Sequence, residues 1–311
     1  MSVSPVRVRP LRPLPDMTRP LVLVGHSAAM RRITEEVTEA AASNATVLIT
    51  GESGVGRRLI ARTIHDRSPR IDGPFVSVNC ACLPDARLES ELFGLVEMRT
   101  PAREPYGSRG RLEVADGGTI LLHDVSYLSW RLQGRLHRFV DTGMVQRIGS
   151  SLSVASDVRL IAITHSSLMH TVRNRVFRDD LFSRITVIHI EVPPLRERYD
   201  DVPALFRYFM SVQAARLGRP AAELTSDALS CLIEYDWPGN VRELQDLADR
   251  LAETTTSDRV GVDDLPATLV RRSMALTMAR WNAKPSVASG SLSAVDHDDL
   301  DRRRDGHEPE T

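Results

Sequence analysis

The chain of 311 residues carries 40 Lys+Arg against 41 Asp+Glu, a formal net charge of −1, which excludes a global electrostatic attraction to nucleic acid or to an anionic membrane. With 42% hydrophobic and 26% charged residues it suits one large globular domain or two modest ones, each able to bury a core. No apolar run approaches the roughly 18 residues of a membrane span, and the three cysteines, Cys80, Cys82 and Cys231, make neither a disulfide framework nor a zinc pattern.

Residues 1–20 hold five prolines and four arginines and no apolar core of a secretory signal. They read as a disordered, extended linker, and the expected location is cytoplasmic. From residue 21 to residue 192 apolar runs alternate with helical patterns. The runs are Thr46–Thr50, Pro74–Asn79, Thr119–Leu122, Val158–Thr164 and Thr186–Ile190, short, β-rich and apolar on both faces, as strands of a buried parallel sheet are. Helices are expected over Leu59–Arg67, Ala86–Phe93 and Ser129–Asp141, and the alternation predicts a doubly wound α/β subdomain. After Pro193-Pro194 come amphipathic helical patterns over Asp201–Arg216, Ser226–Tyr235 and Val241–Glu253, the last with Asn240 as N-cap. Residues 193–270 are therefore expected to form a small helical subdomain. From 271 to 311 periodicity gives way to Ser, Asp and Arg, which predicts a disordered tail.

Chemistry concentrates after the first run. Gly51-Glu52-Ser53-Gly54-Val55-Gly56-Arg57-Arg58 follows a strand and opens a helix, the setting of the phosphate-binding pattern G-x-x-x-x-G-K-[ST]. Glycines let successive N–H groups turn inward, and the helix start adds partial positive charge for phosphate. Arg57 occupies the lysine position and Arg58 the Ser/Thr position. Lys284 is the single lysine, and the other 39 basic residues are arginine. Arg57 keeps the charge, but its planar fork aims differently from an ammonium.

Seven blocks then come in order: Gly51–Gly56, Gly73-Pro-Phe-Val-Ser-Val-Asn-Cys-Ala81, Leu88-Glu-Ser-Glu-Leu-Phe-Gly94, Ala115-Asp-Gly-Gly-Thr-Ile-Leu-Leu122, Phe177-Arg-Asp-Asp-Leu181, Pro193-Pro-Leu-Arg-Glu-Arg198 and Asp236-Trp-Pro-Gly-Asn-Val-Arg-Glu-Leu244. Over roughly residues 21–255 the chain strongly resembles the central AAA+ module of bacterial sigma-54-dependent transcription activators, the enhancer-binding proteins of the NtrC class. The resemblance implies a P-loop α/β subdomain with a helical lid, ATP as cofactor together with Mg2+, and rings in which ATP is hydrolysed between subunits to remodel sigma-54 RNA polymerase. It implies that Gly51–Gly56 hold the phosphates and that Arg178 and Arg184 reach a neighbour's nucleotide, where guanidinium stabilises the transferring phosphoryl group. It also implies that Arg242 is the lid arginine that senses nucleotide, and that Asn79 restrains the catalytic carboxylate as a switch.

The departures from the family fall on the chemistry. Where the resemblance implies Asp-Glu, for Mg2+ and for the attacking water, the chain has His123-Asp124. A neutral imidazole is a poor hard-cation ligand, and aspartate is one methylene short. The asparagine expected to position water is His165. The glycine–aromatic–threonine signature of the sigma-54 contact loop is missing from residues 95–110, where Pro101 and Pro105 stiffen the segment and Tyr106 would have to stand in for the aromatic. No helix-turn-helix pattern follows the lid and no receiver domain precedes the module, so direct sequence-specific DNA binding is not expected.

These departures predict a degenerate ATPase site that binds ATP weakly or not at all and hydrolyses it poorly. The chain would then serve a regulatory or assembly role, by self-association or in a mixed ring with a paralogous AAA+ activator. The alternative is an active, ATP-hydrolysing activator of sigma-54 polymerase; a decaying non-functional copy is a third reading. No metal site is assigned, although His123, His165 and Asp124 would lie close enough to raise the question of a transition-metal site.

Overall fold

The computed structural model describes residues 22–97 and 106–283. Five strands form one parallel sheet: β1 (Val47–Gly51), β2 (Phe75–Asn79), β3 (Thr119–His123), β4 (Arg159–Thr164) and β5 (Ile188–Val192), in the order β2-β3-β4-β1-β5. The expected fold class holds, a P-loop AAA+ α/β layer followed by a helical lid. In register, Asn79 lies beside His123, His123 beside Ile163, and Gly51 beside Val192, so the C-terminal ends of all five strands finish along one edge. In an open α/β sheet that edge is where ligands bind.

The three central strands, β1, β3 and β4, are buried on both faces, while the outer strand β5 exposes His189 and Glu191. Leu48, Ile120, Leu122, Leu160 and Ala162 point into one core with Leu88, Leu92, Phe93, Leu132 and Phe177. Their neighbours Val47, Ile49, Leu121, Ile161 and Ile163 point into the other, against Ile33, Val37, Ile60 and Ile64. This is the two-residue alternation of a strand, with apolar residues in both phases. A helix not singled out in the sequence, Ala28–Ala42, supplies part of the second layer; the Ser27 hydroxyl accepts from the Met30 N–H at 3.2 Å as its cap.

The lid packs Val202–Arg216, Ser226–Glu234 and Asn240–Thr254 around Phe206, Leu232, Trp237, Leu244 and Leu251. Pro203 sits in the first turn of its helix, where the missing N–H costs no hydrogen bond. Three details differ from the sequence reading. The last sheet strand starts at Ile188, because Thr186 closes the preceding helix by donating its hydroxyl to the Phe182 carbonyl. The lid does not stop at 270: a helix runs over Ala267–Ala283, with Leu269 in the lid core and Ser273 fully buried, its hydroxyl donating to Glu234 at 3.2 Å. Asn240 does not cap its helix; Gly239 holds that position, and the Asn240 side chain points elsewhere. The linker 1–20, the segment 98–105 with Pro101 and Pro105, and the tail beyond 283 lie outside the described residues. Only the stem of the contact-loop segment is described, an antiparallel pair of Gly94–Glu97 with Tyr106–Arg109.

Candidate functional site

The turn after β1 is built to bind an anion. Gly51, Gly54 and Gly56 all have positive φ, at 144°, 84° and 104°. At Gly54 the requirement is also steric: a Cβ would lie 2.2 Å from the Gly239 carbonyl oxygen. Gly56 faces open space, with nothing within 4 Å of its missing Cβ, and starts the helix Arg57–Asp66.

Three successive carbonyls of the turn are held from the lid side. Ser53 O accepts from Asn240 Nδ2 at 3.0 Å, Gly54 O from the Arg242 N–H at 3.2 Å, and Val55 O from Arg198 Nη2 at 3.0 Å. A loop whose carbonyls are tied on one side turns its N–H groups to the other, the arrangement of a phosphate nest. Asn240 is completely buried and also accepts from the Leu195 N–H at 2.8 Å and donates to Glu52 at 3.1 Å. It sits at φ 55°, a left-handed conformation that asparagine tolerates better than most residues. Arg196 grips Glu52 with two hydrogen bonds of 2.7 and 3.0 Å. Together Arg196 and Asn240 hold the Glu52 carboxyl below its usual range. Arg242 reaches Ser53 Oγ at 3.5 Å. The sequence reading brought Arg242 to the site but missed Arg196, Arg198 and Asn240. Arg196 and Arg198 stand in the block Pro193–Arg198 and Asn240 in Asp236–Leu244, and only their contacts reveal what they hold.

Beside the turn lies an apolar cavity of about 180 Å3, lined by Val22, Val24, Leu59, Leu205, Phe209 and Val241. Arg57 is half-buried, and burial pulls its pKa below the ordinary guanidinium value, Asp124 opposing this and Arg242 adding to it. Its Nη1 is buried without a hydrogen-bond partner. A buried guanidinium with an unpartnered N–H beside a glycine nest fits an anionic phosphate.

The polar positions after β3 and β4 do not converge on one point. His123 Nε2 hydrogen-bonds Ser77 Oγ on β2 at 2.8 Å. Burial, with Arg58 and Arg57 adding to it and Asp124 opposing, lowers the His123 pKa to about 4, so the ring is neutral at pH 7. Asp124 adopts φ 53° and pairs through Oδ1 with His165 Nδ1 at 3.1 Å. Among the described residues no group of three or more His, Cys, Asp and Glu could hold a metal ion. The trio His123, Asp124 and His165 therefore breaks into two separate pairs. Mg2+ at a nucleotide is held by one or two carboxylates together with waters and the phosphates; here His123 stands at one of those positions, and Asp124 has Oδ1 on His165. Asn79 does not touch Asp124; its Oδ1 accepts from the Ala81 N–H at 2.9 Å.

Arg178 precedes the helix Asp179–Ile185 as its N-cap, and Arg184 lies in its last turn. That helix lines a groove of about 820 Å3 which also touches Gly51, Glu52 and His165. Both arginines are paired within the chain. Arg178 grips Asp180 at 2.6 and 3.0 Å and lies 5.3 Å from the centre of the Trp130 ring, while Arg184 bonds Asp141 at 2.7 Å. The Arg178 guanidinium lowers the Asp180 pKa to about 2.

Comparison with known proteins agrees with this layout. Residues 23–191 match the family model of the sigma-54 interaction domain, and residues 196–280 match that of an AAA+ ATPase lid domain. The chain is 42% identical over 244 residues to the transcriptional regulatory protein ZraR of Klebsiella oxytoca, covering 78% of this chain and 55% of that protein. It is 41% identical over 249 residues to the DNA-binding transcriptional regulator NtrC of Azospirillum brasilense, covering 80% and 51%. Among solved structures, NtrX of Brucella abortus, determined in complex with ADP and with ATP, superposes with a TM-score of 0.73 at 36% identity, covering 80% of this chain and 55% of that one. The chain spans about half the length of these relatives.

Proposed function

The chain belongs to the sigma-54 interaction domain family of AAA+ proteins, and from that premise we propose that it is a transcription-regulatory module that binds adenine nucleotide but hydrolyses it poorly. NtrX, determined with ADP and with ATP, supports the nucleotide half of this reading. The turn Gly51–Arg58 takes the phosphates, Arg57 Nη1 donates to them, and the apolar cavity beside Gly56 takes the base. Arg242 reads the occupied turn through Ser53 and Gly54.

One observation carries the second half. The carboxylate that directly follows β3, Asp124, is paired with His165 in a left-handed backbone conformation, while His123 is turned to Ser77. A base roughly 1 Å out of place costs on the order of 100-fold in rate. Here the carboxylate is shorter than glutamate and engaged. ATP, when bound, supplies the phosphoryl chemistry; the residues of this chain hold its phosphates without offering a well-placed base.

The arginines suit association into a self-ring or a ring with an active paralogue. A subunit idle in its own pocket still presents Arg178 and Arg184 to the next subunit, once they release Asp180 and Asp141. Contact with sigma-54 polymerase then depends on the partner subunits, since residues 95–110 lack the contact signature.

The test pairs thermal stabilisation by ATP and ADP with phosphate release. Nucleotide should raise the melting temperature while turnover stays far below the enzyme median of about 10 s⁻¹. Turnover near that median would instead establish an active ATPase. No stabilisation by either nucleotide would overturn the binding reading.

A further inference from the structure

We propose that the cradle at Gly51–Arg58 takes the nucleotide free of magnesium, with Arg57, Arg58 and Arg242 supplying the positive charge that a dication brings elsewhere; this rests on the nucleotide-binding reading above. A hard cation needs several oxygen donors at short range. Those that a protein ordinarily adds to the phosphates' own oxygens are here replaced or drawn into other contacts, Asp124 Oδ1 by His165. The position after the loop cation, which would offer a hydroxyl, holds Arg58. The position that would offer a carboxylate at the end of β3 holds His123, whose Nε2 is engaged by Ser77 Oγ. Asp124 is paired with His165, and Glu52 is turned away to Arg196 and Asn240.

The positive side is crowded in the same place. Arg57 senses the charge of Arg242, and His123 senses those of Arg58 and Arg57, with Asp124 opposing in both cases, so three guanidinium groups and one carboxylate act on one small region. Arg57 Nη1 is buried there without a partner. The uncomplexed nucleotide carries two more negative charges than its magnesium complex. Guanidinium, which forks onto phosphate oxygens, neutralises them directly. A dication inserted among three guanidinium groups would add repulsion instead.

Isothermal titration of the full chain with ADP, once in excess MgCl2 and once in EDTA, decides the matter. Binding in EDTA should be as tight as in magnesium or tighter. Binding that weakens in EDTA overturns the proposal. No binding in either buffer overturns the nucleotide reading itself and takes this inference with it, a result distinct from magnesium dependence. A second measurement uses Arg58→Ala in EDTA: affinity should fall about tenfold, the scale of one charge-assisted hydrogen bond. Unchanged affinity would show that Arg58 does not stand in for the cation. The double variant Arg58→Thr/His123→Asp puts oxygen donors back, and magnesium should then tighten ADP; absence of that response in a folded variant also counts against the proposal.

Discussion

Replacing Asn240 by alanine tests how the lid is fastened to the phosphate turn. The side chain is fully buried and makes three hydrogen bonds: from the Leu195 N–H at 2.8 Å, to Ser53 O at 3.0 Å and to Glu52 at 3.1 Å. Glu52 keeps Arg196 when the amide is removed, so it loses little. The Leu195 N–H loses its acceptor inside the protein, which costs about 2 kcal/mol. Alanine must also hold φ 55°, worth about 1 kcal/mol against glycine. We therefore expect Asn240→Ala to destabilise by about 3 kcal/mol, and Asn240→Gly, which relieves the backbone, by about 2 kcal/mol. Urea unfolding followed by circular dichroism measures both, read at the transition that includes the lid. A loss below about 1 kcal/mol for alanine would show that the Asn240 contacts do not fasten lid to turn. Equal losses for alanine and glycine would remove the strain part of the argument.

Three further outcomes follow from the same geometry. Gly54→Ala would push a Cβ to 2.2 Å from the Gly239 carbonyl at φ 84°, so thermal stabilisation by ADP should disappear; retention of the full shift would mean that the turn does not carry the phosphates. Phe206→Ala, in the lid core at 1% exposure, should cost about 4 kcal/mol in denaturant unfolding, and a loss under about 1 kcal/mol would contradict that packing. His123 has a folded pKa of about 4 against 6.5 unfolded. Between those values the unfolded chain binds the extra proton, so stability falls as pH drops from about 6.5 to about 4, by an amount of order 3 kcal/mol for this group alone. Unfolding of His123→Gln across that range should show a correspondingly shallower pH slope, and an identical slope in the two proteins would refute it.

The strand and helix order was legible because each element repeats its own period. Apolar residues in both phases of Val47–Ile49, Ile120–Leu122 and Leu160–Ile163 mark strands covered on both faces. The phosphate turn was legible because glycine spacing has few other uses between a strand and a helix. The substitutions at Arg57, Arg58, His123, Asp124 and His165 were legible as residue types. Their consequences were not. Nothing in the order of residues says that His123 would bond Ser77 or that Asp124 would pair with His165, since Ser77 lies on another strand and His165 follows one.

What the chain's sequence settles alone is therefore local and periodic: the α/β layer, the helical lid and the glycine turn, each fixed by the period of apolar residues and by backbone freedom at single positions. Tertiary structure decides what is held from a distance. Arg196, Arg198, Asn240 and Arg242 come from more than 140 positions away to grip Glu52, Ser53, Gly54 and Val55. Such contacts depend on where the folded lid delivers a side chain, to within the reach of a hydrogen bond, and one-dimensional spacing carries no record of that distance.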